Sequence, residues 1–293
     1  MSSVLNCSEY LAEKLYSNGV ADFNALSSEY VFELVLVNMT PINVGSGRGG
    51  DVLGASADLS VIEGSVYIDG KLYRGPIIPG STLKGVLRSL AESIAVSLGW
   101  ADFEVEIDGK KYRCTGEALA DIESWLSDAN CESEKNRNLV DSIFEKCLAS
   151  PVVRLFGAPW LASHMFFYDA YPRSLKPPRR ELITRVAIDR LTGSQSPGKL
   201  YTIEVVSAGV EWVARIKLVN VDPFGDSREA RLLRLLLEML REGVSVGRRT
   251  SVGHGVLKLD IDKSSIEKRT IREDGTIVRE AFPLKKLLEV GQS

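Results

Sequence analysis

Ile78-Pro79-Gly80-Ser81-Thr82-Leu83-Lys84-Gly85-Val86-Leu87-Arg88 turns a tight corner and enters a helix. Pro79 and Gly80 suit the entry turn, and Ser81 is the expected N-cap. Leu83, Val86, Leu87, Leu90, Ile94 and Leu98 then hold the 3.6-residue period of one buried face. The backbone N–H groups at such a helix start attract phosphate. Lys84 and Arg88 stand at i and i+4 on the polar side, about 5–6 Å apart, so two cations line one track.

Upstream, Tyr30-Val-Phe-Glu-Leu-Val-Leu-Val-Asn38 is β-branched and apolar on both faces, as in a strand buried on both sides. A short helix is expected over 8–18, with Ser8 as its cap. Downstream, 165–169, 200–206 and 211–219 read as strands, the last with period-2 alternation. Asp226 and Glu229 have capping-box spacing before a helix lined by Leu232, Leu233, Leu236, Leu237 and Leu240. A final strand runs from Val256 to Ile261. The order matches an α+β, ferredoxin-like (RRM-like) βαββαβ core with large loop insertions. Residues 1–29 form a helical extension, 30–262 the domain, about 101–150 an insertion, and 263–293 a charged, peripheral tail.

The 293 residues are 44% hydrophobic and 26% charged, ordinary for a soluble globular chain. No apolar run approaches the roughly 18 residues of a membrane span. Met1 to Asn6 lacks a signal-peptide pattern, so a cytoplasmic protein is expected. Net charge is −3, against indiscriminate binding of nucleic acid. The charge is uneven, with twelve acidic and six basic side chains in 101–147. A basic run at 173–190 carries Arg173, Lys176, Arg179, Arg180, Arg185 and Arg190 against Glu181 and Asp189. Four cysteines without a C-x-x-C pair are expected to be reduced thiols.

Gly45, Gly47 and Gly50 satisfy G-x-G-x-x-G, but no helix pattern follows, which argues against a dinucleotide site. No Gly-Lys-Ser/Thr follows either, leaving a loop with one cation, Arg48. A second glycine loop, Gly247-Arg248-Arg249-Thr250-Ser251-Val252-Gly253-His254-Gly255, brings adjacent arginines to the last strand. Two such loops beside the two core helices suggest a phosphate-binding surface.

Four blocks over roughly residues 30–260 resemble the RAMP superfamily. They are Thr40-Pro-Ile-Asn-Val-Gly-Ser-Gly47; the 78–88 segment; Arg154-Leu-Phe-Gly-Ala-Pro-Trp-Leu-Ala162 continuing to Phe167-Tyr-Asp-Ala170; and Val186-Ala-Ile-Asp-Arg-Leu-Thr-Gly193 followed by Gly198-Lys-Leu-Tyr-Thr-Ile-Glu-Val-Val206. The closest likeness is to the repeating backbone subunit of type III CRISPR effector complexes. That resemblance implies copies stacked in a filament along a CRISPR guide RNA, with other effector subunits and a complementary target RNA as partners. It implies a thumb-like β-hairpin within about 173–206. RNA contacts are expected from Arg48, Ser81, Lys84, Arg88, Arg154, Arg185, Arg248 and Arg249, through phosphates rather than base edges.

Several members of the superfamily cut the paired target, and the carboxylate that matches theirs is Asp58. It would orient a 2′-hydroxyl or help to hold a divalent metal such as Mg²⁺. Asp51 is the fallback and Asp169 a weaker candidate. Many relatives carry histidine where this chain has Asn43, so that imidazole has no counterpart. The rival readings are an assembly subunit without catalysis and a guide-processing endonuclease using His254 as general acid or base. Relatives also hold zinc with cysteines, and Cys114, Cys131, Cys147 and His164 are the corresponding candidates.

Overall fold

The computed structural model describes residues 6–45, 59–101, 104–113, 118–158, 161–188 and 195–290. The chain opens with α1 (Cys7–Ser17), β1 (Glu29–Asn38), β2 (Glu63–Ile68), β3 (Lys71–Pro76) and α2 (Gly80–Ser97). The insertion holds β4 (Glu104–Ile107), β5 (Lys110–Arg113), α3 (Ala118–Asp128), α4 (Glu134–Ile143) and a π-helical turn, Phe144–Leu148. Then come α5 (Pro151–Phe156), β6 (Met165–Phe167), β7 (Tyr171–Pro172), β8 (Arg180–Ile188), β9 (Gln195–Val206) and β10 (Glu211–Val219). The last elements are α6 (Arg228–Glu242), β11 (Val244–Ser245), β12 (Val256–Ile271), β13 (Ile277–Pro283) and α7 (Leu284–Glu289).

Strands β12, β1, β10 and β6 lie side by side in that order, all antiparallel. α2 lies between β1 and β6 in the chain, and α6 between β10 and β12. This is the ferredoxin-like arrangement expected from the order of elements. Tyr30, Phe32, Leu34 and Leu36 turn one face of β1 into the core. α2 covers it with Leu83, Leu87, Ala91 and Ala95, and α6 with the five leucines read from the sequence.

Several local expectations are corrected. Pro79, not Ser81, occupies the N-cap of α2; Ser81 is exposed and makes no capping bond. Asn6, not Ser8, caps α1, accepting from the Ser8 amide. Ser227 caps α6 through the Ala230 amide, while Asp226 pairs with Arg231 at 2.7 Å. The tail is not peripheral. β12 continues to Ile271, β13 pairs with it, and Leu284, Leu287 and Leu288 of α7 enter the core.

The thiol expectation is also overturned. Cys7 and Cys131 form a disulfide, and Cys147 is disulfide-bonded as well, whereas Cys114 lies outside the described residues. The extension and the insertion thereby form one lobe. α1 buries Leu11 and Leu15 there, Asn6 Nδ2 donates to the Ser127 carbonyl, and Lys14 pairs with Asp141. No helix among the described residues is long and apolar enough to cross a membrane.

Candidate nucleic-acid interface

Three segments meet where β1 leaves the sheet. Buried Asn38 closes β1, donating to the Thr40 and Ser207 carbonyls and accepting from the Trp212 indole N–H. Beyond it, Ile42 bridges Val206 at the root of the β8–β9 hairpin, and the Asn43 carbonyl accepts from the Arg248 amide at 2.8 Å. The Asn43 side chain, 1% exposed, donates to the Leu59 carbonyl at 3.3 Å and the Glu204 carbonyl at 2.6 Å. Leu59, the residue after Asp58, also bonds to the hairpin through the Thr202 and Glu204 backbones. Asn43 is therefore a structural tie that sequence reasoning missed. Its short amide, with two N–H donors, is the signal that fits a site facing two carbonyls.

The cations follow from this convergence. The β8–β9 hairpin pairs from Arg180↔Val206 to Ile188↔Gln195, as expected for the thumb, and sets Arg185 opposite Tyr201. Arg185 is exposed and forms no ion pair among the described residues. The Arg248 guanidinium lies against Gly45, where an added Cβ would stand 2.8 Å from its Cζ. Arg249 donates to the Tyr201 hydroxyl, with its Cζ 5.1 Å from the ring centroid. Tyr201 carried no signal of its own in the sequence beyond its place in a strand.

His254 sits behind these arginines, 7% exposed, with Nδ1 unpartnered. Burial first, then the charges of Arg185 and Arg249, hold its pKa below the usual histidine range. His164, the other histidine of the chain, is likewise depressed by burial. For both, the unfolded chain takes up protons at a pH where the folded one does not, so folding stability falls as pH drops through and below the ordinary histidine range. The unfolding midpoint should be lower at about pH 5.5 than at about pH 7.5. His164→Gln and His254→Gln should each flatten that dependence in thermal scans.

The 78–88 segment lies close by. The Ile62 amide bonds to Val44 O and the Ile77 amide to Ile62 O, which links the entry to α2 to the first glycine segment through backbone hydrogen bonds. Lys84 makes no hydrogen bond or ion pair among the described residues. It lines a 430 Å³ cleft with Arg88, Phe156 and Leu161, and burial followed by the charge of Arg88 lowers its pKa. Arg88 is partly engaged, with Glu92 at 2.9 Å and the Gly157 carbonyl at 3.1 Å. The start of α2 is not an open phosphate site: Asp169 accepts from the Gly80 amide at 2.8 Å and sets a carboxylate at the positive end of the helix. This makes Asp169 a capping residue.

Other candidates are placed elsewhere. Arg154 is held internally, 2.8 Å from Asp22 and 3.9 Å from Glu229, because α5 packs against the start of α6 and the 18–28 segment. Within the basic run, Arg173 pairs with Glu211, and Arg180 with Glu63 and Glu204, so only part of that run faces solvent as free charge. Among the described residues the zinc candidates do not gather as ligands. Disulfide sulfurs in Cys131 and Cys147 are not thiolate ligands, and His164 is 0% exposed, stacked 4.5 Å from Phe23, with Nδ1 bonded to the Val219 carbonyl. No three ligating side chains gather among the described residues. Arg48, Asp51 and Asp58 lie outside those residues.

The open face of the sheet bears a 680 Å³ cleft with Tyr67, Tyr168 and Tyr171 on its walls. Its cations are matched by carboxylates: Arg215 with Glu33 at 3.0 Å, Lys217 with Glu29 at 3.5 Å and Arg269 with Glu29 at 3.1 Å. Such a floor does not favour a polyanion.

Together these features define an α+β protein of the ferredoxin-like class, with a β-hairpin and a glycine-rich loop gathered at one end of its first strand. A family model described as the RAMP superfamily matches residues 36–258, and the chain belongs to that superfamily. Among solved structures, a chain of a type IV-B CRISPR complex is similar at 16% identity and a TM-score of 0.47, over 78% of this chain and 89% of that one. No curated protein matches.

Proposed function

We propose that this protein is a cytoplasmic guide-RNA-binding backbone subunit of a CRISPR effector complex, of type III, working beside other effector subunits and further copies of itself. The observation that carries the reading is the convergence of Arg185 and Arg248 at the root of the hairpin, with Lys84 on the neighbouring helix. Cations gathered on one side of the fold suit a sugar–phosphate backbone, and base pairing between guide and target supplies specificity.

Purified protein should bind single-stranded RNA with strong salt dependence. Arg185→Ala and Arg248→Ala should each weaken binding and reduce the slope of log K against log salt by about 0.7 per lost phosphate contact. Unchanged slopes in both variants would remove the reading.

Cleavage of guide-paired target RNA is the second part of the proposal. The 2′-hydroxyl attacks the adjacent phosphate, its proton passing to the Asp58 carboxylate. The 5′-oxygen leaves and is protonated, giving a 2′,3′-cyclic phosphate and a 5′-hydroxyl end. Asn43 supports this indirectly by fixing Leu59, the neighbour of Asp58. With no three ligating side chains gathered among the described residues, Mg²⁺ enters as a requirement to be measured by chelation. In the assembled complex, Asp58→Ala should abolish periodic target cutting and leave binding intact. Cutting that survives Asp58→Ala would leave an assembly subunit. Cleavage of precursor RNA by the lone protein, dependent on His254, would favour a guide-processing enzyme; a ring only 7% exposed is poorly placed for that exchange of protons.

A further inference from the structure

Arg249 holds a left-handed backbone, with φ 62° and ψ 31°. The other positive-φ positions of its loop, Gly247, Gly253 and Gly255, are all glycines. An arginine in this conformation costs about 1 kcal/mol relative to glycine. That strain accompanies a specific contact, since the left-handed turn aims the guanidinium at Tyr201 of β9.

The position of that contact along the hairpin matters. The root is already tied at Val206 by Ile42, at Glu204 by Asn43 and at Thr202 by Leu59. Arg249–Tyr201 is the next tie outward, and it comes from a different element, the glycine loop after α6. Two contacts act on one side chain: the hydroxyl accepts a hydrogen bond and the ring faces the cation. Beyond it the two strands stay paired with each other as far as Ile188 and Gln195.

We propose that Arg249 is a positioning residue, a strut that fixes the angle of the β8–β9 hairpin against the glycine loop, rather than a ligand of an RNA phosphate. Its effect on RNA rests on the binding function proposed above; its effect on the hairpin does not. The guanidinium reaches Tyr201 from the loop, and its removal leaves the root ties in place. The hairpin would then move about its root while the core stays folded.

The test uses the full chain. In RNA-free protein, amide exchange followed by mass spectrometry should rise about tenfold in peptides covering 180–206 for Arg249→Gly, the loss of one cation–π contact and one hydrogen bond. Tyr201→Phe, which keeps the ring, should give a smaller rise, and the double variant no more than Arg249→Gly alone. The unfolding midpoint of Arg249→Gly should stay level or increase, because glycine relieves the backbone; a purely structural contact would lower it. In RNA binding, Arg249→Gly should weaken affinity with the salt slope unchanged. Unaltered hairpin exchange overturns the proposal, as does a slope reduced by about 0.7, the mark of a phosphate ligand. Failure of the wild type to bind RNA would remove the proposed function and leave the exchange result to decide the strut.

Discussion

Replacing both Cys7 and Cys131 by serine should lower the thermal unfolding midpoint by about 8 °C, the largest stability effect expected from any change outside the core. The bond joins residues 124 apart in sequence. Closing a loop of that length removes about 5 kcal/mol of chain entropy from the unfolded state. Unfolding entropy of about 2 cal/mol/K per residue over a chain this long converts that energy into the stated shift. The folded lobe should change little, because the Cys7 amide still bonds to the Ala129 carbonyl and Leu11 and Leu15 remain buried. The loss therefore belongs to the denatured chain. The double serine variant leaves no Cys131 thiol to exchange with the disulfide at Cys147. Calorimetry without reductant should show the shift; a difference under about 2 °C would mean that the unfolded chain is already compact around this lobe.

The regular core was legible because two independent periodicities agreed. The period-2 alternation of β10 and the leucine stripe of α6 each require one buried face, and the boundaries of these two elements fell within a residue or two of expectation. The disulfide was not legible. Cys7 and Cys131 are brought together by packing of an N-terminal helix on a remote insertion, and sequence spacing says nothing about such contacts. The compartment argument from reduced thiols was a general tendency with exceptions, and geometry overrode it. The tail failed for a related reason: its charges mark the solvent face of β12 and β13, while the three leucines of α7 do the anchoring.

The candidate interface divides in the same way. Residue types named the cations, but only the fold sorted free from engaged ones. Arg154 has the same chemistry as Arg185, yet Asp22 and Glu229 approach it from segments distant in sequence. Asp169 looked like a spare carboxylate and proves to cap α2, because the 167–170 turn lies against the start of that helix. Tyr201 acquired its role only through Arg249, a partner 48 residues further along the chain.

Gly255→Ala should be the most damaging single-atom change at this interface, and Gly253→Ala, two residues away, should be mild. Both glycines have left-handed backbones, with φ +75° and +87°. Each substitution therefore carries the same conformational cost, about 1 kcal/mol. Their surroundings differ. A Cβ at Gly253 meets nothing within 4 Å, whereas one at Gly255 would stand 1.9 Å from the Val246 carbonyl oxygen. That oxygen belongs to backbone and has little freedom, since the Val246 amide bonds to Gly255 O and the preceding β11 is paired with β12. Relief requires the loop to move, and the Gly255 amide then loses the Pro41 carbonyl at 2.9 Å. We expect a loss of about 3 kcal/mol or more in urea denaturation for Gly255→Ala, against about 1 kcal/mol for Gly253→Ala. RNA affinity should fall with the former, because displacement of the loop carries Arg248 away from Gly45. Equal losses in the two variants would mean that backbone conformation alone, and not the close approach of Val246, dictates glycine at position 255.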